Sequence, residues 1–154
     1  MHLVQNRVMS LKEVATRLGQ SAIDLHDAGC LGLSPGRQLA FAYEGARQAA
    51  VACLGELGID HRNDVEIFAA VCEVLNLGEA AARDSASFAK QYNHYLRTIH
   101  GGIPVSADAA AHMLTWAKAV VSAIRQQFIN GKMGMFFDVL PILGQSSDPP
   151  VKMS

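Results

Sequence analysis

The side chains best suited to chemistry in this chain crowd into one stretch, Lys90-Gln91-Tyr92-Asn93-His94-Tyr95-Leu96-Arg97-Thr98-Ile99-His100-Gly101-Gly102. Arginine presents a planar, permanently charged fork that matches phosphate oxygens, and histidine titrates nearer neutrality than any other side chain. With a lysine and an amide beside them, they form a set that could hold a phosphodiester and move a proton without a metal. In that chemistry Arg97 grips the phosphate, His100 transfers the proton, and an RNA 2′-OH is the attacking group. Lys90, Asn93, Arg97 and His100 follow one another at steps of three and four residues. At about 100° per residue these steps place all four in one sector of a helix, with His94 at its rim. Tyr95 lies nearer the apolar side and reads as packing. The same spacing also describes the solvated side of an ordinary amphipathic helix, and a histidine ahead of Gly-Gly suits the negative end of the helix dipole.

Positioning these side chains requires a helical frame, and the sequence supplies five helical segments. Ser10-Leu-Lys-Glu13 is a capping box, after which Leu11, Val14, Ala15, Leu18, Ala22 and Leu25 mark the inner side of a first helix that ends near Gly29 and Gly32. Ser34-Pro35 opens a second helix running to about Leu57, with Leu39, Tyr43, Ala46, Ala50, Cys53 and Leu57 inward and Gly58 past its end. Its alanines and Gly45 would let a neighbour approach closely. A third helix spans about Asp64 to Asn76, with Val65, Phe68, Val71, Cys72 and Leu75 inward. The fourth runs from about Glu79 to His100, with Ser85, Phe88, Tyr92, Leu96 and Ile99 on its core side and Gly101-Gly102 as its stop. Ser106 caps the fifth, where Asp108 suits the positive dipole end and Met113, Ala117, Val120, Val121, Ile124 and Phe128 form the apolar side. No strand alternation competes with these periods.

The spacing therefore predicts an all-α, five-helix up-and-down bundle over residues 1–130 and an irregular C-terminal extension over 131–154. In the extension Gly131, Gly134, Pro141, Gly144 and Pro149-Pro150 interrupt Met135-Phe136-Phe137 and Val139-Leu140. These apolar residues suit folding back on the bundle or packing on a second subunit.

Composition narrows the function further. The chain has 154 residues, half of them apolar and 18% charged, enough for one domain with a core that needs no metal or disulfide. A net charge of -1 argues against a protein that coats duplex DNA, where binding is largely phosphate neutralisation. The apolar runs are too short to cross a bilayer, and the first residues lack the pattern of a secretory signal, so a cytoplasmic protein without membrane contact is expected. Cys30, Cys53 and Cys72 form no CxxC pair and read as reduced thiols, with Cys53 and Cys72 acting as small apolar residues. No metal or cofactor site is expected.

Other candidate clusters have structural readings. His61-Arg62-Asn63-Asp64 mixes base, cation and acid, yet Asp60 or Asn63 would serve as a helix cap with Asp64 in the first turn. His26 neighbours Asp24 and Asp27 in sequence, but adjacent helical positions point to different sides. His112 suits an exposed position, and Met113 and Trp116 suit the core. No phosphate-cradling glycine loop, nucleophile elbow or HExxH motif occurs.

The order of helices, the alanine-rich run Arg37 to Leu54, a fourth helix ending in an Arg/Asn/His-bearing motif before Gly-Gly, and Ile103-Pro-Val-Ser106 leading into a long last helix together resemble the HEPN domain superfamily. The likeness covers about residues 10–128. HEPN proteins are helical bundles that pair as dimers, and many are metal-independent ribonucleases acting as toxins or defence effectors, while others have lost activity. The resemblance implies a homodimer with the motif at a shared cleft and RNA as a partner. It also implies, as the alternative, a noncatalytic module that dimerises or binds a nucleotidyltransferase-type protein. By position His100 matches the family's histidine, and Asn93 or Arg97 would stand for its arginine and polar neighbour. Only two residues separate Arg97 from His100, a shorter interval than the active members use, so the Arg97 guanidinium points differently.

Overall fold

A computed structural model describes residues 8–59, 61, 63–98 and 104–130. They form five helices: α1 (Leu11–Ala28), α2 (Pro35–Glu56), α3 (Asp64–Val74), α4 (Glu79–Thr98) and α5 (Ala107–Asn130). The all-α class is thus as the periodicity predicts. The extension at 131–154, Ile99, His100 and the Gly101-Gly102 stop lie outside the described residues. None of the described helices is long and apolar enough to cross a membrane.

Local chemistry sets the helix ends. Glu13 N–H donates to Ser10 Oγ at 3.2 Å and Ser10 N–H donates back to Glu13 Oε1 at 3.3 Å, completing the capping box of α1. Ser34, Asn63 and Ser106 cap α2, α3 and α5 by accepting from Arg37, Glu66 and Ala109 N–H at 3.3, 3.0 and 3.0 Å. Asn63 is therefore the cap of α3 that the sequence offered. Beyond α2, Gly58 takes a φ of 70°, a left-handed turn that costs a glycine little.

Helix α2 is the hub, packed most extensively on α1 and α5 and also touching α3 and α4. Its residues explain that role, because Ala42, Ala46, Ala49, Ala50 and Ala52 are all fully buried and bring backbones close. Gly45 marks the tightest point: a Cβ there would lie 3.0 Å from Leu25 Cδ2 and 3.3 Å from the Ser21 carbonyl oxygen. Ser21, itself buried, donates to the Gly45 carbonyl at 2.6 Å and so fixes α1 on α2.

The other side of α2 carries an aromatic centre. Tyr43 stacks on Tyr92 at 4.0 Å between ring centroids and meets Phe68 edge-on at 5.7 Å. Trp116 of α5 stacks on Phe88 of α4 and meets Phe68 edge-on, both at 5.0 Å. Its indole N–H donates to Ser85 Oγ at 3.2 Å, which satisfies two buried polar groups at once. Met113 and Trp116 are core residues, and Cys53 and Cys72 are buried free thiols, as the apolar stripes suggest.

Four positions expected in the core are exposed. Leu11 and Val65 sit in the first turns of α1 and α3, and Leu57 is the C-cap of α2, all at element ends. Leu96 is the informative case. It continues the stripe of Ser85 and Tyr92, yet 45% of its surface faces outward, because the last turn of α4 packs through the adjacent Tyr95, whose ring rests on Gly36 of α2.

Candidate functional site

The polar side of α4 follows from its packing. Ser85 and Ala89 are buried and Phe88, Tyr92 and Tyr95 are half-buried against the core. Helical geometry then turns the intervening residues outward. Lys90, His94 and Arg97 are exposed, and Asn93 is half-buried at the edge of the packed side. Lys90, Asn93 and Arg97 share one sector of α4 as their spacing predicts, and His94 lies at its margin. His100, the proposed proton-transfer group, lies outside the described residues. Tyr95 packs as expected: its ring edge comes within 3.2 Å of the Cβ position at Gly36, so the end of α4 rests on the first turn of α2.

Neither Lys90 nor Arg97 forms an ion pair among the described residues. Both side chains are exposed, on a chain whose net charge is only -1. Such a face can attract phosphates through long-range Coulomb interaction, and Arg97 can grip one bidentately. No three His, Cys, Asp or Glu side chains among the described residues converge in a way that could hold a metal ion.

A second polar group, which the sequence did not single out as a unit, lies at the junction of α2, α3 and α4. Tyr43 O–H donates to Asp64 Oδ2 at 2.8 Å, and Arg47 Nε donates to Asp64 Oδ1 at 3.4 Å. Arg47 also faces Glu44 at 3.8 Å, and Tyr92 O–H donates to Glu44 Oε1 at 3.5 Å. Burial raises the pKa of the Glu44 carboxyl; Arg47 opposes the shift, and Asp24 and Asp64 add to it. Burial and Glu44 push the Tyr92 hydroxyl up to about 12, so it acts as a donor at all ordinary pH. Two tyrosines inside apolar stripes were the available signal, since a buried phenol requires a polar partner.

The remaining clusters have structural roles. Asp24 is buried and accepts from Gln20 Nε2 at 2.9 Å, whereas His26 is exposed on another side of α1, so they form no joint site. Burial, with Asp27 nearby, raises the Asp24 carboxyl above its ordinary value. Asn63 and Asp64 open α3, and His112 is exposed on α5.

Comparison with protein-family models, with curated proteins and with solved structures finds no match for this chain.

Proposed function

We propose that this protein is a HEPN-like RNA-binding module that acts as a homodimer, with Lys90, Asn93, Arg97 and the rim residue His94 contacting the RNA backbone. The observation that carries this reading is the pair of exposed cations, Lys90 and Arg97, on one side of α4 without an acidic partner among the described residues. Exposed cations without a close acidic partner are available to phosphate oxygens, which Lys and Arg side chains contact in nucleic-acid complexes. In a metal-independent cleavage step, Arg97 would hold the phosphate and His100 would move the proton. Such activity would suit a protein of the toxin or defence sphere of the HEPN group.

The exposure of Leu96 supports the dimer and also favours a second reading. An apolar residue on the core stripe, next to Arg97, suits pairing of two α4 ends, which would bring two cationic faces into one cleft. The same pairing would serve a noncatalytic module that binds a protein partner, such as one of nucleotidyltransferase type.

Sedimentation of the wild type and Leu96→Asp, with a labelled single-stranded RNA titrated into each, separates these readings. The RNA reading expects a dimer that binds RNA with salt-sensitive affinity, and a Leu96→Asp variant that is monomeric and binds weakly. A dimer with no affinity for RNA at low salt sinks it and leaves the partner-binding module. Cleavage by the wild type but not by His100→Ala, with binding intact in both, would identify the proton-transfer group.

A further inference from the structure

The exposed cations of α4 extend beyond Lys90 and Arg97. Arg83, Lys90 and Arg97 recur every seven residues, all three are exposed, and none forms an ion pair among the described residues. Seven residues rise about 10.5 Å along a helix and return to within about 20° of the same direction, so the three side chains stand in a nearly straight row about 21 Å long. The row faces away from Ser85, Ala89 and Tyr92, through which α4 packs on the core. Between its ends that sector carries Ser87, Asn93 and His94 and no carboxylate. The acidic residues of α4, Glu79 and Asp84, are confined to its first two turns, and Asp84 points to another flank, about 100° from Arg83. The same spacing has a different outcome on α5, where Lys118 and Arg125 are also seven apart but are half-buried and engaged in other interactions.

We propose that Arg83, Lys90 and Arg97 form a track for one strand of RNA laid along the axis of α4, with Arg83 as a phosphate contact at the end away from the Asn93 to Arg97 turn. The proposal rests on the reading of this face as an RNA-binding surface, and adds to it a third contact residue, a direction and a length. Each cation can meet a phosphate oxygen, Arg83 and Arg97 through bidentate guanidinium pairs and Lys90 as a point charge. At the ~3.4 Å of rise per nucleotide in a stacked strand, the row spans about six nucleotides, and fewer when the strand is extended. A duplex fits less well, because its strands wind about their common axis and leave a straight row after a few phosphates. Glu79, one turn before Arg83 on the same side, repels phosphate and closes the track there. Contacts of this kind hold the strand without reading its bases.

Fluorescence anisotropy of a labelled oligouridylate, about twice the length of the track and titrated with the full chain over a range of salt, tests the proposal. Arg83→Gln should weaken binding at low salt about fivefold and make the salt slope shallower by about 0.7, the counterion release of one phosphate contact on a single strand. Arg83→Lys, which keeps the charge, should restore most of the affinity and the slope. Arg37→Gln removes an exposed cation from α2 instead and should leave both unchanged. Arg83 is exposed and glutamine is a good helix former, so the unfolding midpoint should not move. Wild-type binding that Arg83→Gln leaves intact overturns the track while the RNA reading, carried by Lys90 and Arg97, stands. An equal loss in Arg37→Gln overturns it too, since binding would then follow net charge alone, as does tighter binding of a duplex of the same length. No binding by the wild type at low salt removes the RNA reading and the track with it.

Discussion

The α1–α2 seam and the far half of α4 are built on the same three-and-four residue spacing, but they end in opposite states. In the seam, Gly45 and a row of alanines let α1 close until Ser21 bonds the backbone of α2, and Val14, Leu18 and Leu25 are buried. In α4 the stripe is buried at Ser85 and Ala89, half-buried at Tyr92 and exposed at Leu96. The periodicity is intact throughout, and only the opposing helix changes. Spacing therefore defines which side of a helix is able to pack, while the neighbour decides how far along that side packing extends. At the end of α4 the packed side runs through Tyr95, which rests on Gly36 of α2, and leaves Leu96 and Arg97 outward.

The contrast can be broken most severely at Gly45. Gly45→Val places methyl groups against Leu25 and the Ser21 carbonyl, and should cost about 3 kcal/mol in chemical denaturation by forcing α1 away. At the near half of α4, Ser85→Ala leaves the buried Trp116 indole N–H without its acceptor, with an expected loss of about 2 kcal/mol and a shifted Trp emission. Tyr43→Phe removes the donor to Asp64 while keeping the stacked ring, and should cost about 1 kcal/mol. Leu96→Ala should change monomer stability by about 0.5 kcal/mol or less, although it lies on the same stripe as Ser85. A loss of about 2 kcal/mol there would show that the far half of α4 is packed as firmly as the near half.

Much of the frame was legible because it rests on local rules. The Ser10–Glu13 capping box, the Ser34, Asn63 and Ser106 caps and the Gly58 turn each need only a few neighbouring residues. The buried side of α5 follows its period throughout. The misplaced leucines and Val65 lie at or near helix ends, and a helical period does not reveal how a neighbouring helix meets those ends. The polar sector of α4 was legible for the same local reason, as three of its residues need only the helix to align them. The Tyr43–Asp64–Arg47–Glu44–Tyr92 junction was not, since it joins three helices and depends on crossings that sequence spacing leaves open.

The most direct measurement is RNA affinity and unfolding midpoint, taken together on the wild type and on the double variant Lys90→Glu, Arg97→Glu. The account predicts a midpoint lowered by no more than the roughly 1 kcal/mol that reversing a charge in the last turn of α4 costs, with affinity at low salt reduced by about tenfold or more and a shallower salt dependence. Equal RNA affinity in the two proteins, or no binding by the wild type, would contradict it.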